Sequence, residues 1–171
     1  MSAEPGDRRH TVLDSPVGPL TVVADREGLT AVYFADHLRR PDAAGFGPVV
    51  TPVADELLDR AARQLGEYFL GARRAFDLPL APVGAPFQRA VWDLLIAIPY
   101  GETCSYGALA RRLGDVGLAR AVGTANGANP LSVVVPCHRV VGSDGSLTGY
   151  AGGLARKRLL LDLERPGSTL F

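Results

Sequence analysis

The chain has 171 residues, of which 47% are hydrophobic and 21% charged, so it can bury one ordinary core or two small ones that share an interface. The formal net charge is zero, with 9 Arg and Lys against 12 Asp and Glu in residues 1–85 and 9 against 6 in residues 86–171. A strongly basic protein is excluded, but the C-terminal half is modestly basic, as a local phosphate-binding surface requires.

Two further properties limit the class of protein. Residues 1–9 are polar and charged, and no run of about 18 apolar residues occurs, so we expect a cytoplasmic protein without a signal peptide or membrane span. The two cysteines, Cys104 and Cys137, form no CxxC pair, which predicts two free thiols and no zinc or iron–sulfur site. We therefore expect no metal and no cofactor.

The first third of the chain predicts a meander of antiparallel strands. Runs of β-branched and aromatic residues alternate with turn residues such as Gly18 and Gly28. The predicted strands cover residues 10–15, 19–24 and 29–34. Residues 38–52 are rich in proline and glycine and predict a loop.

The next segment predicts a helix that packs on these strands. Residues 53–70 carry apolar side chains every three or four positions, and the pattern ends at Gly71. A short strand near residues 75–80 and a linker over residues 81–86 complete a small α+β unit.

The second half changes character at Pro86, which predicts the start of a helix that runs to Ile98. Short helices are then predicted up to Leu113 and over residues 117–126, separated by a Gly-Asp turn. This arrangement is typical of a helix-turn-helix, although plain helical hairpins share it. Residues 154–164 predict a final amphipathic helix.

Residues 136–140, Pro-Cys-His-Arg-Val, place a thiol beside an imidazole and a guanidinium. A free thiol with a pKa near 8.5 is mostly protonated at neutral pH, and a nearby base or positive charge raises the thiolate share. On an extended strand His138 and Cys137 point to opposite faces, so their coupling needs a bridging water or a turn at Pro136. A buried structural cysteine is the alternative, which the surrounding C-terminal motifs disfavour.

The C-terminal half carries a dense series of motifs. They are Phe87-Gln88, Val91-Trp92, Ile98-Pro-Tyr-Gly-Glu-Thr103, Ser105-Tyr106, Arg120-Ala-Val-Gly123, Ala125-Asn126, Asn129-Pro130, Val135-Pro-Cys-His-Arg-Val140, Gly149-Tyr150, Gly152-Gly153 and Leu159-Leu160 with Glu164. With these motifs residues 86–165 resemble the O6-alkylguanine-DNA alkyltransferases, which repair alkylated guanine by moving the alkyl group onto their own cysteine. The N-terminal part resembles that family in its opening Ser15-Pro-Val-Gly-Pro-Leu20 and its general layout.

The resemblance implies an α+β fold with two domains. Residues 1–85 would form a small antiparallel sheet with a helix, in a ribonuclease H-like layout. Residues 86–171 would form a mostly helical domain that holds the helix-turn-helix and the active-site cysteine, binds DNA and accepts the alkyl group.

The implied activity is that of a methylated-DNA:protein-cysteine S-methyltransferase that works once. The alkyl group of a flipped-out O6-alkylguanine or O4-alkylthymine would pass irreversibly to Cys137. The implied partner is double-stranded DNA, bound through its minor groove by a monomer that needs no membrane and no obligate protein partner.

Two alternatives belong to other classes of protein. The first is a non-catalytic helix-turn-helix sensor of DNA lesions, whose known examples lack the acceptor cysteine. The second is a cysteine hydrolase or redox protein, for which Cys104 could act as a resolving thiol only if it lies close to Cys137.

The resemblance assigns roles to individual residues. Cys137 would be the acceptor, His138 would activate it through water, Glu164 would orient His138, and Tyr106 would hydrogen-bond the flipped guanine and help extrude it. Arg120 would fill the gap left in the duplex. A slim helix surface of Ala121, Gly123, Ala125 and Asn126 would enter the minor groove. The base pocket would comprise Asn129 as a hinge, Val140 through its backbone, Tyr150 and Ala151.

Overall fold

The computed structural model describes residues 7–167, and its first half is built on a three-stranded antiparallel sheet. The strands follow the chain as the predicted meander, β1 (Arg9–Leu13), β2 (Leu20–Ala24) and β3 (Leu29–Phe34). In the central strand Val22 pairs with Thr11 on one side and with Val32 on the other.

Both faces of this sheet are covered, and β2 and β3 are therefore buried at every position. On one face Val22 joins the main core together with the apolar side of helix α1 (Glu56–Phe69). Because successive side chains of a strand alternate between faces, Val23 and Tyr33 lie on the other face, where they pack with Phe46.

Helix α1 begins three residues later than the predicted start at Val53. The Asp55 carboxylate caps the helix by accepting a hydrogen bond from the Leu58 backbone N–H at 3.0 Å. Residues Pro52–Ala54 form a separate 3-10 turn before the cap. The proline and the capping aspartate together set this boundary.

The predicted strand near residues 75–80 is wrong. Only a bridge between Leu29 and Leu80 forms there, with the Leu29 N–H donating to the Pro79 carbonyl at 2.8 Å. Pro79 and Pro82 have no N–H to donate, so a regular ladder cannot extend in either direction.

Up to residue 167 the second half contains four α-helices and a two-residue parallel pairing of strands. The elements are α2 (Pro86–Ile96), β4 (Cys104–Ser105), α3 (Tyr106–Arg112), α4 (Ala119–Gly127), β5 (Val140–Val141) and α5 (Leu154–Leu163). The indole N–H of Trp92 on α2 donates to the Ala125 carbonyl on α4 at 2.9 Å. This bond and the buried contacts of Val91 and Leu95 fix α4 against α2.

Helices α3 and α4 form the predicted helix-turn-helix. The Ser105 side chain caps α3 by accepting from the Ala108 N–H at 3.1 Å. Gly114 adopts a positive φ of 100° at the turn, and a 3-10 turn over Val116–Leu118 delays the start of α4 to Ala119. Residue 117 was predicted to begin this helix.

The two halves share one core, in which Phe34 and Leu65 from the first half belong to the same buried cluster as Leu109 and Val135 from the second. The predicted α+β class is confirmed, with the small sheet followed by a helical part. Within residues 7–167 no helix is long and apolar enough to cross a membrane.

Candidate active site

Cys137 lies in a turn, not on the extended strand considered from sequence. Residues Cys137–Arg139 form a single 3-10 turn, closed by a hydrogen bond from the Arg139 N–H to the Pro136 carbonyl at 3.0 Å. The cysteine is 3% exposed, and its backbone N–H donates to the Val135 carbonyl at 2.8 Å. The turn at Pro136, which the sequence raised as one way to couple the two side chains, is therefore present.

Asn129 holds the chain that leads into this turn. Its amide Nδ2 donates to the Val135 carbonyl at 2.9 Å, and its Oδ1 accepts from the Leu131 N–H at 2.9 Å. Both bonds are buried. Asn129, the residue predicted to act as a hinge, therefore binds the backbone at two points.

His138 and Glu164 meet inside the protein, where His138 is fully buried and Glu164 is 2% exposed. The imidazole Nε2 lies 2.8 Å from the Glu164 Oε1 atom. Burial lowers the pKa of His138, although Glu164 opposes this effect, and the imidazole is neutral at neutral pH. A neutral imidazole that donates from Nε2 carries its lone pair on Nδ1.

The Glu164 carboxylate is held by two further residues. Arg139 donates from Nε to Oε2 at 2.9 Å and from Nη2 to Oε1 at 2.8 Å, and Tyr68 donates its hydroxyl hydrogen to Oε1 at 2.8 Å. Burial alone raises the pKa of Glu164, but the hydrogen bonds from His138 and Arg139 outweigh it and bring the pKa to about 2. Glu164 is therefore a fixed anion.

Arg139 does not direct its donors at the thiol. Besides Glu164 it binds the Ile98 carbonyl through Nη1 at 2.7 Å, and its guanidinium lies 5.7 Å from the centre of the Tyr100 ring. The sequence leaves open whether Arg139 is structural or tunes the thiolate, and these partners, which use its donors, favour the structural role. Arg139 holds the Glu164 carboxylate, which in turn binds His138.

The thiol itself is buried. Burial raises the pKa of Cys137, and the Asn129 amide, the Lys157 ammonium and the Tyr150 hydroxyl partly offset that rise. Lys157, the single lysine of the chain, is fully buried and donates from Nζ to the Thr148 carbonyl at 2.8 Å. A buried cation near the sulfur favours the thiolate over the thiol.

A cavity of about 660 Å³ opens between helix α4, the start of α3 and the segment 148–151. Its walls include six of the residues predicted from sequence, Tyr106, Arg120, Gly123, Asn126, Tyr150 and Ala151. The Tyr106 hydroxyl is 3.1 Å from the Thr148 Oγ1 atom. Burial, with the nearby Cys137 as a second cause, raises the pKa of Tyr150 well above its usual value and keeps the phenol protonated.

Four residues predicted to enter the minor groove divide between two faces of α4. Ala121 is exposed and Gly123 is half-buried, whereas Ala125 is 2% exposed and Asn126 4% exposed. Arg120, which was predicted to fill the gap in the duplex, is exposed. Ala125 packs toward α2, where its carbonyl binds Trp92, so it is wrongly predicted as a DNA-facing residue. Asn126 turns inward, with Nδ2 at 3.4 Å from the Cys137 carbonyl.

Gly123 lies beside Tyr106, since a Cβ atom built on Gly123 would be 3.7 Å from the tyrosine ring. A side chain larger than hydrogen would therefore narrow the cavity. Val140 is fully buried in β5, paired with Cys104 of β4, and it does not belong to the cavity wall. Cys104 is half-buried and is a free thiol, as predicted.

Sequence reasoning missed Tyr68 and Lys157. Tyr68 is 96 positions from Glu164 along the chain and looks like an ordinary core residue of α1. Lys157 lies in a charged stretch, Ala155-Arg-Lys-Arg158, that reads as a solvated helix face. The one available signal was that Lys157 is the single lysine among 18 basic residues.

Comparison with known proteins gives two matches to family models. Residues 86–166 match the DNA-binding domain of 6-O-methylguanine DNA methyltransferase, and residues 9–82 match its ribonuclease-like domain.

Individual relatives match over nearly the whole chain. The methylated-DNA–protein-cysteine methyltransferase of Mycolicibacterium paratuberculosis is 48% identical over 95% of this chain and 98% of its own. That of Methanosarcina acetivorans is 44% identical over 91% and 97%. A crystal structure of Mycobacterium tuberculosis OGT in complex with DNA superimposes with a TM-score of 0.81 at 43% identity, covering 91% of this chain and 92% of that one.

Proposed function

The chain belongs to the 6-O-methylguanine DNA methyltransferase family of DNA repair proteins, and from this premise we propose that Cys137 is its alkyl acceptor. The substrate is O6-alkylguanine or O4-alkylthymine, flipped out of double-stranded DNA into the cavity beside Tyr106. The observation that carries this proposal is the buried contact between Glu164 and His138. This contact lies next to Cys137, whose neighbours line the cavity.

The cavity and the thiol are connected by side chains that belong to both. Asn126 and Tyr150 line the cavity, while Asn126 binds the Cys137 carbonyl and the Tyr150 hydroxyl interacts with the Cys137 thiol. These two side chains therefore connect the cavity to the surroundings of the sulfur. That arrangement suits a reaction in which the substrate is brought to a buried nucleophile.

The proton of the thiol leaves through His138. The neutral imidazole donates from Nε2 to Glu164, so Nδ1 is the basic atom, and within residues 7–167 it has no hydrogen-bond partner. A bridging water carries the thiol proton to Nδ1, and the anionic Glu164 stabilises the resulting imidazolium. Lys157 stabilises the thiolate that remains.

The thiolate then attacks the alkyl carbon in line with the bond to the guanine oxygen. The sulfur–carbon bond forms as the carbon–oxygen bond breaks, and the electron pair passes to the guanine ring, which regains a proton. The products are unmodified guanine and a thioether on Cys137. Because no group in the site cleaves a thioether, each molecule reacts once.

The residues at the rim of the cavity contact the duplex. Arg120 is exposed at the rim, where it can enter the space left by the extruded nucleotide and recover part of the unstacking energy. Ala121 and Gly123 keep α4 slim enough for a narrow groove. We assign DNA contact to the minor groove and to residues 86–171, and the domain of residues 1–85 to support of the site.

A stoichiometry experiment tests the proposal. A fixed amount of protein is mixed with increasing amounts of a duplex that carries one O6-methylguanine with a labelled methyl group, and both the label bound to protein and the label lost from the DNA are counted. We expect one label per protein molecule at the plateau and none with Cys137→Ser. DNA binding without any transfer would instead indicate a lesion sensor, and label transfer that continues past one equivalent would indicate a turnover enzyme.

A further inference from the structure

Tyr68, on helix α1 in the first half of the chain, binds Glu164, which belongs with His138 to the second half. It is fully buried, and its hydroxyl donates to the Glu164 Oε1 atom at 2.8 Å. The same oxygen accepts from His138 Nε2 at 2.8 Å. A residue of the first domain therefore touches the carboxylate that orients the imidazole.

We propose that Tyr68 is a positioning residue for alkyl transfer, which fixes Glu164 and through it the orientation of His138. This inference rests on the proposed function, since it assigns Tyr68 to the activation of Cys137. It also gives the N-terminal domain a defined part in the chemistry.

The geometry leaves Tyr68 little freedom. Its ring is packed against Phe69 at 5.3 Å and Phe76 at 5.5 Å between ring centres, and against Tyr100 at 6.3 Å. Burial and the adjacent Glu164 raise its pKa well above the usual value, so the hydroxyl remains a neutral donor. It adds a directed hydrogen bond to the carboxylate without adding a charge.

The hydrogen bond from Tyr68 to Glu164 bears on which ring nitrogen of His138 carries the hydrogen. Oε1 accepts from Tyr68, His138 and Arg139, whereas among residues 7–167 Oε2 accepts from Arg139 alone. With its two oxygens fixed in this way, the carboxylate presents Oε1 to the imidazole and selects the form with hydrogen on Nε2. Without the phenol Oε1 keeps only its bonds from Arg139 and His138 among residues 7–167, so the imidazole, and with it the basic Nδ1 atom, is oriented less firmly toward the thiol.

Other charged and titratable groups face the same network and are unchanged by a substitution at Tyr68. Arg139 and Tyr100 lie near Glu164, while Lys157 and Tyr150 act on Cys137. A change in thiol reactivity after substitution of Tyr68 is therefore transmitted through Glu164 and His138.

The test compares Tyr68→Phe with Tyr33→Phe. Both changes delete one phenolic oxygen from the first domain, but Tyr33 packs against His37 and Phe46, away from Glu164. In proteins that also carry Cys104→Ser, the rate of Cys137 methylation by methyl iodide is measured from pH 5 to pH 9 by mass spectrometry. Single-turnover transfer from O6-methylguanine duplex is followed over the same range.

For Tyr68→Phe we expect the rate at neutral pH to fall about tenfold, the loss expected for one hydrogen bond to a charged group. We also expect the acid limb of the profile to move to higher pH, because the thiol loses its proton less readily. Tyr33→Phe should keep the parent profile. An unchanged profile for Tyr68→Phe, with or without a lower melting temperature, would overturn the proposal, and so would a shift to lower pH.

The two reactions separate this inference from the proposed function. Methyl iodide reports on the thiol without DNA, so a shifted profile with methyl iodide supports the role of Tyr68 even if no methyl group is transferred from DNA. Absence of transfer from DNA by the parent protein would contradict the proposed function alone.

Discussion

The guanidinium of Arg139 and the carboxylate of Glu164 form a buried ion pair with two hydrogen bonds, at 2.9 and 2.8 Å. The Arg139 side chain is 8% exposed and that of Glu164 1% exposed. A buried charge without its partner is strongly unfavourable, so each group depends on the other. Arg139 thereby fixes the carboxylate that binds His138.

Replacing Arg139 should therefore cost much of the stability of the protein. We expect Arg139→Leu to lower the free energy of unfolding by about 3–5 kcal/mol, because it leaves Glu164 charged and buried. Urea denaturation at pH 7 measures the change. The control is Arg165→Leu, which removes a surface ion pair with Asp162 and should cost less than about 1 kcal/mol. Similar losses in the two variants would contradict the importance of the buried pair.

The lowered pKa of the same carboxylate predicts that the stability of the protein depends on pH. The pKa of Glu164 is about 2 in the folded protein against the usual 4.5, so below pH 4.5 the unfolded chain binds the proton more readily. The contribution of Glu164 is complete above pH 4.5 and is lost as the pH falls toward 2.

The variant Glu164→Gln isolates this contribution. The gap in unfolding free energy between the parent protein and the variant should narrow by about 2 kcal/mol between pH 6 and pH 3. Urea denaturation at a series of pH values measures the gap. Parallel curves for the two proteins would show that Glu164 has no lowered pKa.

The sequence predicted the meander, the helix-turn-helix and the cysteine motif because each is encoded within a short stretch. It did not predict the tertiary contacts that decide the site. Ala125 was assigned to DNA from the small-residue pattern of α4, but the Trp92 indole from α2 binds the carbonyl of the same turn. Likewise, nothing near Tyr68 in sequence indicates Glu164, which is brought to it by packing of the two halves of the chain.

Arg120 should matter for duplex substrates in particular. We expect Arg120→Ala to slow transfer from a duplex about tenfold, equivalent to ~1.4 kcal/mol, and to slow transfer from the single strand much less. The reason is that extrusion is needed only where the base is stacked and paired. The matched control is Arg63→Ala, an exposed arginine of α1. An equal effect of Arg120→Ala on both substrates would favour a plain phosphate contact.

Gly152 should tolerate no side chain. A Cβ atom built there would lie 2.4 Å from the Phe34 ring of β3, whereas one at Gly149 would meet no atom within 4 Å. We therefore expect Gly152→Ala to lower the free energy of unfolding by about 1–3 kcal/mol. Gly149→Ala should change it by less than about 0.5 kcal/mol. Equal effects in thermal or urea denaturation would contradict the close packing of Gly152 on Phe34 of the sheet.

Mass spectrometry of the protein after reaction with DNA shows whether Cys137 is the alkyl acceptor. The protein is incubated with an excess of duplex containing O6-methylguanine, its intact mass is measured, and the modified residue is mapped by proteolysis. We expect one added methyl group, located on Cys137, in the parent and in Cys104→Ser, and none in Cys137→Ser. A methyl group on Cys104, or an unchanged mass for the parent protein, would contradict it.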